Sequence, residues 1–325
     1  MGMGFQIAVA ALTGVVLFLH ALQGFSREVQ KTGGEWLRRS LGLGANQRGV
    51  AFLIGAGATA LLQSSSATSS LAVALVDSGV IGFRASLGIL LGANVGTTVT
   101  AWLVSFKLTG IGPFFIIAGT LLSLTPLRFR VFGKAVFYFG LIFFTLDLIA
   151  ASLAPLHTHP GWQALLEWAN TPWSAVLVGA VATALVQSSS VVVGLAVLLA
   201  QQGLLPAEAA ISMALGSNIG TTSTALIASA TMRGAAKLAA LANVLFNTVM
   251  LVLLLPVLPW IVAQAAALVP RADLAVALTH LAFNLAMAML FLPMLRPLDP
   301  WLRRFEPVRH AGPLPEADRP PPGSA

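Results

Sequence analysis

Long apolar stretches interrupted by short polar and basic segments run along most of the chain. A helix needs about 20 apolar residues to cross a bilayer, and stretches that meet this length lie at residues 5–25, 108–127, 135–153, 238–262 and 274–295. Strands of a membrane barrel would alternate polar and apolar residues, so these unbroken runs indicate helices. The pattern predicts an all-α polytopic membrane protein.

Two other apolar regions carry the same polar sequence. QSSS stands at residues 63–66 and again at 187–190, and each copy precedes a related segment, GANVGTT in the first case and GSNIGTT in the second. Both pairs are offset by 124 residues, and the surrounding segments agree at about half of their positions. We therefore predict a duplicated unit, with repeat A at residues 49–107 and repeat B at 171–231, a pattern typical of transporters.

The rest of the chain flanks these repeats. Residues 1–48 are predicted to hold a first membrane segment and then a basic interfacial helix at 27–48. Residues 108–170 are predicted to hold two linking spans and an outer loop, and 232–295 two peripheral spans. The Pro-rich tail at 296–325 is expected to be disordered.

Each repeat is too short for three full crossings with turns between them. The prediction is therefore a re-entrant helical hairpin with QSSS at its tip, followed by one transmembrane helix. We expect that helix to be broken near residues 92–96 in repeat A and 216–220 in repeat B. Backbone freed by such a break has to line a cavity within the protein.

Composition confirms the membrane interpretation and narrows the chemistry. Hydrophobic residues make up 57% of the chain and charged residues 9%, with a mean hydropathy of +0.87, which excludes a soluble domain. The chain has no cysteine, so disulfides and Cys-ligated metals are excluded. The net charge of +7 comes mainly from loops beside spans, where membrane orientation places basic residues, so nucleic-acid binding is not expected.

The distribution of Lys and Arg predicts the orientation of the repeats. Residues 135–232 contain neither, whereas basic clusters lie at 128–134 and 233–237. Because positive residues stay in the cytoplasm, the chain before repeat A is predicted to lie inside and the chain before repeat B outside. The repeats are then inverted, and Arg84 of repeat A corresponds to Glu208 of repeat B. Lys107, at the predicted outer end of repeat A, opposes this assignment.

The polar residues of the repeats suit a small anion that enters with a cation. Serine hydroxyls and glutamine amides can donate hydrogen bonds to an anion, and their oxygen atoms can ligate a cation. Helix starts at the predicted breaks would favour an anion, and the carbonyls freed there would favour Na⁺. The residues expected to cap those helix starts are Asn94, Thr97, Thr98, Asn218, Thr221 and Thr222. Formal charges lie only at the predicted ends of the repeats, so a buried anion needs cations with it. Hydrogen bonding within helices is the alternative role for these residues.

The doubled QSSS motif, paired with GANVGTT and GSNIGTT, resembles the type II sodium–phosphate cotransporter family over about residues 5–295. The resemblance implies that phosphate and Na⁺ bind between the two hairpins, with Na⁺ as the coupling ion. It implies binding residues Gln63, Ser64, Ser65, Ser66, Gln187, Ser188, Ser189 and Ser190, with Asn94, Thr97, Asn218 and Thr221 as further candidates. Na⁺ would share Gln63, Ser65, Gln187 and Ser189.

Two departures from that family affect what the resemblance implies. Animal members carry Thr directly after QSSS, whereas Ala67 and Val191 stand here, so the ratio of Na⁺ to phosphate stays open. Many bacterial members also append a helical domain resembling the PhoU protein. This chain has a short Pro-rich tail instead, which is typical of a shorter bacterial form.

We therefore expect a Na⁺-coupled phosphate symporter that works by alternating access in a bacterial inner membrane. It is not expected to be an enzyme or to hold a cofactor, and its partners are inorganic phosphate, Na⁺ and the lipid bilayer. The alternatives are a symporter for a carboxylate or sulfate, a phosphate exporter or channel, and a non-transporting scaffold. The direction of flux and the oligomeric state, including a homo-oligomer, stay open.

Overall fold

The computed structural model describes residues 3–43, 47–106, 108, 110–126, 129–158, 161, 171–232 and 234–305. Within these ranges the regular structure is helical, with no strand. The α-helices are α1 (Met3–Leu43), α2 (Arg48–Leu62), α3 (Ser65–Asp77), α4 (Phe83–Thr97), α5 (Val99–Ser105), α6 (Gly112–Leu124), α7 (Arg130–Leu153), α8 (Pro172–Val186), α9 (Ser189–Gln201), α10 (Ala207–Ser229), α11 (Gly234–Leu254), α12 (Leu258–Leu268) and α13 (Ala272–Leu302). Short 3₁₀ turns follow α7, α11 and α13.

Several of these helices can cross a membrane. In the described ranges five are long and apolar enough, namely Gly4–Lys31, Phe83–Ser105, Arg130–Leu156, Gly234–Ala265 and Ala272–Leu302. Large apolar side chains on the shorter helices are exposed as well, including Phe114, Leu185 and Leu268. An aqueous surface would not tolerate so many, whereas lipid solvates them. The prediction of an all-α, multi-pass membrane protein is confirmed.

The first helix corrects the prediction for the N-terminal region. α1 runs without interruption over Met3–Leu43, so a span that ends before a separate interfacial helix is wrong. The residues around the predicted junction include no proline, and Gln, Arg, Glu and Lys all favour a helix. Lys31 also pairs with Glu28 at 2.7 Å, one turn apart. Residues 44–46, at the end of that prediction, lie outside the described part.

The predicted span at residues 108–127 is also wrong in length. The helix there, α6, has 13 residues and is therefore about 20 Å long, too short to cross a bilayer. Pro113 lies in its first turn, and Thr125 at its end is extended because Pro126 follows. α6 packs along α7 instead of standing alone in the membrane.

The helix break predicted near residues 216–220 is wrong, and the one predicted near residues 92–96 lies two residues further along, at Thr98. α10 runs unbroken through residues 216–220, and the α4–α5 helix is interrupted only at Thr98, beyond residues 92–96. The glycines serve close packing: a Cβ on Gly92 would strike the carbonyl of Phe52 on α2, and one on Gly216 that of Val176 on α8. Small residues at such crossings let membrane helices approach closely, and this explains the Gly-rich pattern without a break.

Each QSSS segment joins two short helices into a hairpin. α2 and α8 have 15 residues and α3 and α9 have 13, so they are about 22 and 20 Å long. All four are shorter than the hydrocarbon core of about 30 Å. The hairpins α2–α3 and α8–α9 therefore turn back inside the thickness that α13 spans.

The helix α13 provides a reference for the direction of the first hairpin. It has 31 residues, about 45 Å, with Asp273 in its first turn and Asp299 in its last turns. Arg84, at the start of α4, pairs with Asp299 at 2.6 Å. Arg48, at the start of α2, donates to the carbonyl of Pro293 at 2.8 Å. The open end of the α2–α3 hairpin thus lies at the Asp299 end of α13.

The second hairpin opens at the other end of α13. Gln201, the last residue of α9, donates to Asp273 Oδ2 at 3.0 Å and to the carbonyl of Val104 on α5 at 3.0 Å. Arg271 pairs with Asp273 at 2.6 Å, and this hydrogen bond raises the pKa of its guanidinium. The hairpins therefore enter from opposite ends, which supports inverted repeats; the inversion itself stays a prediction.

The C-terminal end of α13 corrects the predicted tail. The helix continues to Leu302, so a disordered tail that begins at residue 296 is wrong. Pro297 has no N–H to give to the carbonyl of Pro293, four residues before it, and Arg48 donates to that carbonyl instead. The predictions for residues 306–325, for Lys107 and for most of the outer loop lie outside the described residues.

Candidate functional site

Both QSSS segments form the same turn. Gln63 and Gln187 adopt the left-handed region, with φ of 50° and 58°, and are the non-glycine residues of the described chain that do so. Each ends one helix, and the next begins two residues later, after Ser64 or Ser188 in extended backbone. A left-handed non-glycine residue costs energy and persists only where the surroundings hold it, which is typical of functional sites.

The glutamine side chains brace these turns. Gln63 Nε2 donates to the carbonyl of Ala60 at 2.6 Å, and Gln187 Nε2 makes the equivalent contact with Ala184. Both amides thus satisfy carbonyls at the end of the helix they terminate. Gln187 Nε2 also lies 3.2 Å from the hydroxyl of Ser223.

The two tips meet. Ser66 Oγ donates to the carbonyl of Gln187 at 3.4 Å, which joins the tip of one hairpin to the tip of the other. The hydroxyl of Thr100 donates to Gln63 Oε1 at 2.8 Å and lies 3.2 Å from Ser190 Oγ. Thr100 is 37 positions from Gln63 and 90 from Ser190, and Ser66 is 121 from Gln187, yet the fold brings them into one hydrogen-bonded cluster.

A cavity of about 280 Å³ lies between the tips and α1. Its walls are both QSSS segments and one face of α1, so eight of the twelve residues that the sequence predicted line one space. The residues that α1 adds are Leu22, Gln23, Ser26, Arg27 and Gln30. Gln23 and Arg27 are exposed, and the cavity therefore reaches the surface beside α1.

The tips offer donors to a ligand in this cavity. α3 and α9 begin there, so the free backbone N–H groups of two helix N-termini lie beside it. The hydroxyls of Ser65, Ser188 and Ser189 make no hydrogen bond within the described residues and line the cavity. Such donors suit an anion, and their oxygens can also ligate a hard cation.

The α1 side of the cavity was missed by the sequence analysis. Arg27 is the charged residue of the cavity wall, and it was assigned to an interfacial helix. A usable signal was present: Gln23, Ser26, Arg27 and Gln30 recur at the spacing of one helix face. Thr100 and Ser223 were missed too, because the fold alone brings them to the tips.

The four further candidates do not line this cavity. Asn94 Nδ2 donates to Asn243 Oδ1 at 3.3 Å, and Asn218 Oδ1 lies 3.2 Å from His280 Nε2. Thr97 and Thr221 bond to carbonyls four residues before them in their own helices. Thr222 and Thr98 bond to carbonyls three residues back, and Thr98, at the interruption before α5, makes no side-chain cap of that helix. The prediction that they cap helix starts is wrong.

The far side of the tips is closed by apolar side chains. A space of about 20 Å³ between Gln63, Thr100 and α7 is walled by aromatic rings that include Phe18, Phe139 and Phe143. Beyond it a cavity of about 160 Å³ is lined by Asp147 and Gln201 at the Asp273 end of the molecule. Phe143 belongs to both walls. The tip cavity is therefore separated from that end by a thin apolar layer.

Two buried asparagines that each follow a phenylalanine, Asn247 after Phe246 and Asn284 after Phe283, lie apart from the cavity. Phe246 stacks on Phe291 with ring centroids 4.4 Å apart, and Asn247 and Asn284 donate to carbonyls one turn back in their own helices. Their carbonyl oxygens have no hydrogen-bond partner in the described part. These contacts are those of helix packing.

Comparisons with known proteins identify the family of the chain. The model of the Na⁺/Pi-cotransporter family matches the chain twice, over residues 17–151 and 152–290. YqeW, an uncharacterized protein of Bacillus subtilis, is 36% identical over 212 residues, which are 64% of this chain and 68% of that protein. No solved structure shows significant similarity to the chain.

Two further relatives carry functional names. YjbB of Escherichia coli, named for inorganic phosphate export, is 28% identical over 269 residues, or 82% of this chain and 50% of YjbB. The sodium-dependent phosphate transport protein 2A of Rattus norvegicus is 31% identical over 166 residues, or 43% of this chain and 25% of that protein. The chain thus spans half the length of YjbB and a quarter of the length of the rat transport protein.

Proposed function

This chain belongs to the Na⁺/Pi-cotransporter family, and on that premise we propose that it carries inorganic phosphate across a membrane together with Na⁺. The observation that supports this most is the meeting of both QSSS tips around one cavity. Two symmetric sets of neutral donors converge on a volume that suits a small oxyanion. Phosphate would occupy the space between Ser65, Ser188 and Ser189.

The charge balance of the cavity supports coupling to a cation. One arginine, Arg27, stands at its exposed edge, and the remaining wall is neutral apart from two helix N-termini. A phosphate anion that moves from water into a low-dielectric interior loses several kcal/mol per charge, and neutral donors offset only part of that cost. A Na⁺ ion that enters with the phosphate would offset more of it.

Oxygen atoms suited to Na⁺ lie at the tips themselves. Hard cations take carbonyl, hydroxyl and amide oxygens, and the tips provide the side chains of Gln63, Ser65, Gln187 and Ser189. Gln63 Oε1 already accepts from Thr100, so a cation there would exchange or share that bond. We assign Na⁺ to these four residues as part of the proposal.

Alternating access would use the two sides of the tips. The tip cavity reaches the surface beside α1, whereas the aromatic layer of Phe18, Phe139 and Phe143 closes the path toward Asp147. Opening that layer while the α1 side closes would expose the same serines to the other face. Because the two hairpins enter from opposite ends, a shift of the hairpin core against α1 and α7 produces both changes.

Phosphate export is the second candidate, and the similarity to YjbB, named for inorganic phosphate export, favours it. The same cavity serves both directions, because the gradients set the direction of net flux in a carrier. Export and uptake therefore differ in the driving ion and its gradient rather than in the residues that bind phosphate.

Purified protein in proteoliposomes tests the proposal. We expect uptake of radiolabelled phosphate driven by an inward Na⁺ gradient, with little uptake when K⁺ replaces Na⁺ and with competition by arsenate. Equal uptake in K⁺ would reject the sodium coupling, and efflux of preloaded phosphate without Na⁺ would favour the exporter.

The same assay also tests the identity of the substrate and the role of the tip residues. Competition by sulfate or aspartate, with none by arsenate, would reassign the cavity to another anion. Ser189→Ala removes a hydroxyl of the cavity, and Thr120→Ala removes one on the exposed face of α6 as the matched control. Equal transport by both variants would remove the tip from the substrate site.

A further inference from the structure

A second, larger cavity lies at the Asp299 end of α13. It has a volume of about 800 Å³, and its walls come from the starts of α2 and α4 and the last turns of α13. α2 has 15 residues, so about 22 Å of helix separates this cavity at Arg48 from the tip at Gln63. The two cavities share no lining residue. The larger one is therefore a separate feature.

Two helix N-termini open into this cavity without a side-chain cap. α2 begins after Gln47 and α4 after Gly82, and no side chain at either position accepts a hydrogen bond from the first turn of the helix. The corresponding helix α8 is capped, because Thr171 accepts from the N–H of Ser174. Uncapped N–H groups carry partial positive charge and bind anions readily.

Arginines add full positive charge to the same space. Arg48, Arg84, Arg296 and Arg303 line the cavity against one carboxylate, Asp299. Both oxygens of that carboxylate are engaged, with Arg84 at 2.6 Å and Arg303 at 2.7 Å. The cavity therefore keeps a net positive charge, although its acidic residue is paired.

The arginines differ in how firmly they are held. Arg303 lies over the ring of Phe83 at 5.2 Å and pairs with Asp299, so its position is fixed. Arg296 is exposed and makes no ion pair with a described residue. Arg48 donates one N–H to the carbonyl of Pro293, and its other N–H groups can donate to a ligand. Guanidinium groups arranged in this way present forks of donors that match phosphate oxygens.

We propose that this cavity binds an anion with two or more phosphate groups, separately from the transported substrate. The volume exceeds that of the tip cavity almost threefold, and the donors stand on three helix ends instead of at one point. Either a lipid headgroup with two phosphates or a soluble oligophosphate provides this chemistry. The inference does not depend on phosphate transport, because it rests on the charge and the helix ends at one face of the protein.

Binding to purified protein tests the proposal and distinguishes the two sources. One arm titrates tripolyphosphate into the detergent-solubilised protein, and the other counts cardiolipin molecules bound by native mass spectrometry. The test variant is the double substitution Arg48→Gln with Arg296→Gln, since neither arginine pairs with a carboxylate among the described residues. We expect about 30-fold weaker binding of the preferred ligand, from the loss of two phosphate contacts.

Two controls keep the result specific. Arg130→Gln removes a basic residue at the start of α7, outside the cavity, and should leave both affinities unchanged. A melting temperature equal to that of the wild type shows that the double variant is folded; if it is lower, Arg296→Gln alone should still weaken binding about fivefold. No binding of either ligand, or equal weakening by Arg130→Gln, would overturn the proposal. Phosphate uptake plays no part in this readout.

Discussion

The two hairpins agree at their tips and differ at their open ends. Both tips place a glutamine in the left-handed region and a serine before the next helix. At the open ends, Arg84 faces Asp299 beside two uncapped helix starts, whereas Glu208 occupies the equivalent place in the second copy. The two copies of the unit thus share one cavity at their tips and carry opposite charges at equivalent positions of their open ends. This difference in charge is the one expected if the two repeats have opposite orientations in the membrane.

The tips themselves also differ in one respect that a substitution can exploit. Ser64 Oγ accepts from the N–H of Ala67 at 3.2 Å and caps α3, but Ser188 makes no such bond. Thr68 on α3 bonds to the carbonyl of Ser64, and its counterpart Val192 has no hydroxyl. At this position the first tip uses its serine as a helix cap, and the second has a hydroxyl free for a ligand.

The largest expected effect tests whether the two copies share their packing. Gly92→Ala and Gly216→Ala each place a methyl group against a backbone carbonyl of the neighbouring helix, which cannot move aside. Both should abolish monodisperse protein in size-exclusion chromatography after detergent extraction.

The matched control for these variants is Gly57→Ala on α2, where a Cβ meets open space. Its yield should equal or exceed that of the wild type, because Ala favours a helix more than Gly does. A wild-type elution profile for Gly92→Ala would contradict the close packing of α2 on α4.

The next largest effect tests whether both tips act together. Gln63→Leu removes the acceptor of Thr100, and Gln187→Leu removes the contact with Ser223. Each should lower kcat/KM for phosphate about 100-fold, since the turn loses the amide that braces it and the ligand loses the same amide. Gln264→Leu, on the exposed side of α12, is the control in the same uptake assay. A large loss for one glutamine alone would mean that the tips are not equivalent.

A smaller effect should separate Ser64 from Ser188. Ser188→Ala removes a hydroxyl that is free for phosphate, so KM should rise about tenfold with little change in melting temperature. Ser64→Ala removes a helix cap worth about 1 kcal/mol, so the melting temperature should fall while KM changes about twofold or less. The comparison fails if the two variants show the same pattern.

The smallest effect concerns α1, which lines the cavity from outside the two hairpins. Arg27→Gln should raise KM for phosphate about threefold at low ionic strength and less at high ionic strength, because exposed charges are screened by salt. Lys31→Gln, one turn further along and paired with Glu28, should change KM little. Equal effects of both variants would show general surface attraction instead of a contribution from the cavity edge.

The sequence was sufficient to predict the membrane class and to locate the two QSSS segments that form the hairpin tips. The long apolar segments and the two identical QSSS sequences are local features, and local features can be recognised without knowledge of the fold. The Gly-rich segments misled because glycine favours both helix breaks and close helix crossings, and the neighbouring helix decides between them. Asn94 and Asn218 belong to the segments that accompany QSSS in the sequence, but their side chains contact Asn243 on α11 and His280 on α13.

Other features depended on contacts between distant parts of the chain. Arg84 and Asp299 are separated by 215 positions, and no local pattern pairs them. The unbroken helix α1 brings Arg27 to the tips. Predicting that it continues past residue 25 requires knowing that no contact with a neighbouring helix ends it there. α6 looked long enough to span because apolar residues flank it on both sides, although Pro113 and Pro126 limit it.

The central claim, that phosphate with Na⁺ occupies a cavity shared by both tips, has one direct test. The chain contains no cysteine, so Ser65→Cys and Ser189→Cys each introduce a single thiol whose modification by a methanethiosulfonate reagent can be timed. Phosphate in Na⁺ buffer should slow the reaction at both positions, phosphate in K⁺ buffer should not, and Thr120→Cys on α6 should react equally in all buffers. Unchanged rates at both tips, or protection at one tip alone, would contradict the shared site.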